Sequence, residues 1–142
     1  MANIQGTVKG LTISLKNDTS GDIYPYRCVT KKAQGTCQYP SATGKDFLGV
    51  TLKNLNYESG VTPDQDPVSI QIDGVVDIDA NGPISVGDYV KVSSTAGKVE
   101  SAAVMDGMSN TGSGGFTPVV GISLESAVSG GRIAVLLRPN LA

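Results

Sequence analysis

Val68-Ser69-Ile70-Gln71-Ile72-Asp73 sets an apolar side chain at every second position, and Ile133-Ala134-Val135-Leu136-Leu137 repeats the spacing near the C-terminus. A period of two marks a strand with one face on a core and the other toward water. Working outward, Val50 with Leu52, Val90 with Val92 and Ile122 with Leu124 alternate in the same way over shorter spans. No apolar stripe of helical period competes with this pattern. Turn-forming clusters separate the runs: Asp18-Thr19-Ser20-Gly21, Gln34-Gly35, Glu58-Ser59-Gly60, Asn81-Gly82-Pro83, Ala96-Gly97 and Ser129-Gly130-Gly131. The reading predicts strands near residues 6–15, 25–31, 35–39, 46–53, 67–78, 88–94, 97–104, 117–125 and 131–138. Helix is expected only as single turns near Ile84–Asp88 and Glu125–Val128. Many short strands at fairly even spacing make a small barrel or sandwich.

Two stretches align when Gly35 is set on Gly97. Cys28 then falls on Val90, Thr30 on Val92 and Cys37 on Val99, each copy being a hairpin closed at a Gly turn. Downstream, Gly49-Val50-Thr51-Leu52-Lys53-Asn54 resembles Gly121-Ile122-Ser123-Leu124-Glu125-Ser126. A Gly-containing turn and an alternating strand follow in both, Val68–Ile72 in one and Ile133–Leu137 in the other. A pseudo-symmetric barrel would produce such a repeat; chance similarity among short β segments is the competing reading. In the simplest hairpin register Cys28 and Cys37 face each other from inward positions. They are then two small buried hydrophobes or a cross-strand disulfide.

The chain has 142 residues and 14.6 kDa, the size of one domain. Eleven basic and thirteen acidic residues give a formal charge of −2, without the basic excess of a nucleic-acid binder. There is no His. That removes the Ser-His-Asp triad, the usual activator of a nucleophilic Cys and the commonest transition-metal ligand. Two Cys are too few for an all-cysteine zinc site. No apolar run approaches the ~18–20 residues of a membrane-spanning helix, and the first residues lack the pattern of a signal peptide. Residues 1–20 are polar and weakly patterned, and are expected to form an extended N-terminal arm with at most one strand; residues 21–142 are the barrel-like domain. Met105–Phe116 is Gly-rich and expected to be a flexible surface loop.

One chemical motif stands out. Asp77, Asp79, Asn81, Ser85 and Asp88 supply oxygens at positions 1, 3, 5, 9 and 12 of a calcium-type loop, with Gly82 at position 6. The flanks are β-type where an EF-hand needs helices, so a polar turn is the preferred reading and no metal or cofactor is expected. Asp64-Gln65-Asp66-Pro67 reads as a solvated loop and Lys31-Lys32 as a hairpin-tip charge pair. Tyr24-Pro25-Tyr26 reads as a packed strand edge or an exposed aromatic contact.

The serial order of segments resembles the small phage capsid cement, or decoration, proteins. The resemblance rests on Phe47–Leu52, Val75–Ile78, Gly82–Val90, Ala96–Val99, Val119–Ala127 and Gly130–Pro139, and spans about residues 20–139. It implies an all-β, small β-barrel, β-tulip-like single domain without catalytic residues. It further implies a homotrimer on the outer surface of an icosahedral head, bridging major capsid protein subunits and binding neither nucleic acid nor membrane. Such a protein is made in the host cytoplasm and carried on the virion. Arms that touch the capsid are common among such proteins, which makes Ile4, Val8, Leu11, Ile13 and Leu15 the capsid-contact candidates; removing residues 2–18 should then leave the fold intact. The alternative is a carbohydrate-binding or receptor-adhesion module using Tyr24, Tyr26, Tyr39 and Tyr57.

Overall fold

The computed structural model describes residues 10–40, 47–93, 95–102 and 119–137. Gln71 and Asp73 close the first alternating run against a reversal at Gly74, whose φ is +83°. The predicted strand 67–78 is therefore two strands, β5 (Pro67–Gln71) and β6 (Val75–Asp79). The buried Gln71 amide spans the reversal, its Nε2 donating to the carbonyls of Asp73 (2.7 Å) and Val75 (3.1 Å).

Strand β1 (Thr12–Asn17) lies antiparallel to β5, with Ile13 opposite Ile70 and Leu15 opposite Val68. Its other edge runs parallel to β3 (Thr36–Gln38). With β2 (Cys28–Lys31) and β4 (Gly49–Thr51) these strands close a barrel in the order β1-β3-β2-β4-β5. Ile23, Val29, Cys37, Val68 and Ile70 fill it, with Ile13, Leu15, Tyr39 and Ile72 packed around them.

The second half repeats the plan. Strands β7 (Tyr89–Val92), β8 (Val99–Ser101), β9 (Gly121–Ser123) and β10 (Arg132–Leu137) join β6 in the order β6-β10-β9-β7-β8. This is the barrel's cyclic order, opened between its first and third members. Away from the opened edge, equivalent hydrogen bonds recur at matched positions. Asn17 N–H donates to Asp66 as Ala80 does to Gly131, Leu52 to Ser69 as Leu124 to Ala134, and Ile72 to Leu11 as Leu137 to Gly74. The bridges Ile23↔Thr62 and Ile84↔Ala127 match as well. Gly49 and Gly121 also correspond. A Cβ on Gly49 would stand 2.6 Å from the Gln71 carbonyl oxygen, and one on Gly121 2.1 Å from that of Leu136. Close approach of two strands leaves room for glycine alone at both.

The repeat seen in the sequence is thus a structural one, offset by a residue on one arm. Lys31 faces Cys37 in the first hairpin and Val92 faces Val99 in the second, so Val29, not Cys28, is the counterpart of Val90. The second turn is one residue longer. Cys28 and Cys37 therefore point to opposite faces of the barrel wall: Cys37 inward, Cys28 outward into a second core shared with Val50, Val76, Ile78, Ile133 and Val135. Both are free thiols. Burial pushes Cys37 up to about 11 and Cys28 higher still, which keeps both protonated and unreactive at neutral pH.

Other expectations are corrected. Neither predicted helical turn forms, because Ile84 and Ala127 are paired to each other across an antiparallel bridge. Residues 12–17 are not an arm but a barrel strand, since the apolar pair Ile13 and Leu15 completes the barrel core. Residues 1–9 and the Gly-rich 105–116 lie outside the described residues.

Deleting residues 2–18 removes β1 and opens the barrel, so the truncated chain should lose cooperative thermal unfolding by circular dichroism. A sharp transition near the full-length melting temperature would contradict this placement.

Candidate functional site

The two halves meet where the segment before β2 enters the opening of the second sheet. Asp79 N–H donates to the Tyr26 carbonyl (2.9 Å), and Cys28 N–H to that of Gly97 (2.7 Å). Around these bonds sits a charged cluster. The Asp79 carboxylate receives Arg27 Nε–H on Oδ2 and Arg132 Nε–H on Oδ1, both at 2.9 Å. Arg27 also donates from Nη1 to the Ala96 carbonyl (3.1 Å), tying three elements together. The Arg27 guanidinium lies over the Tyr24 ring (5.2 Å to its centroid) and that of Arg132 over the Tyr26 ring (3.7 Å).

Tyr26 occupies a left-handed conformation, φ +65°. Matching hydrogen bonds identify its counterpart: Tyr26 N–H donates to Thr51 as Gly87 N–H does to Ser123. Gly87 has φ +87°, which glycine adopts without penalty. A tyrosine there costs on the order of 1–2 kcal/mol. The stacked ring and the oriented Arg132 offset that cost.

The calcium-loop residues are engaged one by one. Asp79 is held by the two arginines. Asn81 Nδ2 donates to Thr95 Oγ1 (3.2 Å). Asp88 Oδ2 accepts from the Ser85 amide (3.0 Å) and from Ser101 Oγ (2.9 Å). Strand pairing drives the separation, because Ala80 and Ile84 leave the sheet toward different partners, Val99 and Ala127. Among the described residues no group of three or more His, Cys, Asp or Glu is placed to hold a metal ion. Asp77 stays on β6, where partial burial and the nearby Glu125 raise its pKa and Arg132 opposes them.

The aromatic side chains do not share one open platform. Tyr24 and Tyr26 stack on arginines, while the Tyr39 hydroxyl accepts the Tyr24 amide (2.9 Å) and Tyr57 hydrogen-bonds Asp66. Of the arm candidates, Ile13 and Leu15 pack against the barrel core, Leu11 is exposed, and Ile4 and Val8 lie outside the described residues. The sequence reading passed over the linking role of Arg27 and Arg132 and the exposed Leu55. Alternation cannot signal a cross-half ion pair. Leu55 was legible only as an apolar residue between two asparagines. No helix among the described residues is long and apolar enough to cross a membrane.

Tyr26→Ala keeps the strained backbone and loses the ring, and should destabilise by about 1–2 kcal/mol. Tyr26→Gly relieves the backbone and should fall between Tyr26→Ala and the natural protein in urea denaturation; the reverse order would contradict the account. For Asp77, a pKa raised by folding means that the ionised carboxylate is held less well in the folded than in the unfolded state. Its favourable contribution is present at low pH and lost as pH rises through the folded value. Asp77→Asn should therefore raise the melting temperature at pH 7, and the gain should vanish below the ordinary Asp value of 3.8.

Comparison with known proteins comes down to fold and family. The head fiber gp8.5 N base of bacteriophage phi29 is similar in fold, with a TM-score of 0.62 and 13% sequence identity over 90% of this chain and 93% of that one. No curated protein matches. The family of structural cement proteins typified by E217 gp24 and Pam3 gp6 matches residues 10–138. With nearly the whole two-half body inside that match, the chain belongs to the structural cement protein family of phages.

Proposed function

We propose that this chain is a capsid cement subunit. It binds the outer surface of an icosahedral phage head, bridges neighbouring copies of the major capsid protein and stabilises the shell against outward pressure. The observation that carries this reading is the family match over residues 10–138, which spans both halves. The molecule's own physics is compatible with it. Its ionisable groups at the junction hold the two halves together. A cement subunit works by binding energy alone, and it needs a stiff body so that contacts at separate points strain the bond between two capsid subunits when they part. The closed barrel, the shared second core and the Asp79 cluster supply that stiffness.

The subunit acts as a homotrimer, made in the host cytoplasm and added to the assembled head. Three linked attachments raise avidity by ~10²–10⁴ over one, provided that all three reach the lattice together. Bound subunits also stabilise the lattice by mass action, because they bind the assembled shell and not its dissociated parts.

Purified protein mixed with heads of its own phage that lack it should co-sediment with them at a saturable ratio and raise their disruption temperature. Analytical ultracentrifugation of the protein alone should give three times the chain mass of 14.6 kDa. Protein left in the supernatant at every concentration would overturn the proposal.

A further inference from the structure

The two halves differ most at one connection. From Leu124 to Ala127 the second half needs only Glu125 and Ser126, whereas from Leu52 to the equivalent Thr62 the first half uses residues 53–61. The added residues form an ordered projection. Asn54 N–H donates to Gly60, Gly60 N–H to Tyr57 and Tyr57 N–H to Asn54, and the Asn54 side chain binds both the Asn56 amide (2.9 Å) and Thr62 Oγ1 (3.0 Å). Tyr57 is pinned from outside by its hydrogen bond to Asp66. At the tip stands Leu55, 89% exposed. That side chain stands outside both cores, yet the loop that presents it is fixed in place by these bonds.

Charge sets the surroundings apart. Segments 17–22 and 53–66 lie at one end of the barrel and carry five acidic residues against Lys53 alone, a formal −4 where the whole chain is −2. The rest of the chain is thus net positive. Asp18, Glu58, Asp64 and Asp66 belong to this end, and Lys32, reaching Asp18 at 3.5 Å, is a neighbouring counter-charge.

We infer that this end of the barrel is a docking face, in which Leu55 enters an apolar pocket ringed by lysine or arginine on a partner protein. The inference rests on the cement reading, which makes the outer face of the major capsid protein the partner. A rigid loop loses little conformational freedom on binding, so one exposed leucine can act as an anchor. Acidic residues around it steer and orient a basic rim, which makes the association sensitive to salt.

The test uses full-length protein and heads lacking it, with Leu55→Asp, Asp22→Lys/Glu58→Lys and, as a control in the other half, Val128→Asp at a comparably exposed position (76%). All three should keep the natural melting temperature. Leu55→Asp should weaken attachment at least tenfold, the charge reversal several-fold, and Val128→Asp less than twofold. Attachment of the unaltered protein should weaken as salt rises from 50 to 500 mM. Unchanged attachment by Leu55→Asp, or stronger attachment at high salt, would overturn the docking face while leaving the cement reading intact. Failure of the unaltered protein to attach would overturn both.

Discussion

The second sheet does not close on itself, and the rest of the molecule is arranged around that fact. Among the described residues, the edges of β6 and β8 are bridged at Ala80, just past β6, and Val99, which leaves apolar residues of the second half facing an opening. The wall of the first barrel covers it. Cys28 and Val50 sit opposite each other on adjacent strands and turn their side chains outward, into the core of the second half. Burying the Val50 side chain contributes about 1.5–3 kcal/mol. Beside this apolar contact the backbone at the start of β2 bonds to Asp79 and Gly97, through Tyr26 and Cys28, and the Arg27–Asp79–Arg132 cluster sits at the junction. One surface of the barrel thus serves as the missing wall of its twin.

A duplicated plan also exposes where the halves have diverged. Glycines with positive φ at positions 87 and 130 are matched in the first half by Tyr26 and Gln65, both in the same unusual conformation. At Tyr26 the reason is visible, since its ring meets Arg132 across the junction. The extended 53–61 connection is the other departure. Its own backbone bonds and two side-chain bonds to Thr62 and Asp66 hold it, and its tip is exposed. Tyr26 joins the halves, and the extended connection faces outward.

Much of the fold was legible in the sequence. The alternation in Val68–Ile72 and Ile133–Leu137 marked the two longest central runs, and matching them placed equivalent strands on one another. The register of the hairpins was not legible, because one additional turn residue between Val92 and Val99 moves every partner by one. That single residue decided whether Cys28 and Cys37 face each other or face opposite cores. A strand was expected near residues 6–15, but the place of β1 in the barrel was missed for a different reason. Ile13 and Leu15 alternate, but their partners are some fifty residues away on β5, and the polar, Gly-containing flanks suggested a free arm. Ligand spacing in Asp77–Asp88 was real as a pattern. It had no geometric consequence, because the chain there is directed by two bridges to different strands. The junction cluster joins residues 27, 79 and 132, a separation that no local pattern encodes.

The claim on which the account stands is that this body attaches to the outside of a phage head. A cryo-electron microscopy map of the mature head, at a resolution that separates β-strands, tests it most directly. The account predicts density for the barrel and its companion sheet on the outer surface, spanning the boundary between major capsid protein subunits, with the 53–61 loop turned toward the shell. A fully assembled head with no such density outside, or with it on the inner surface, would contradict it.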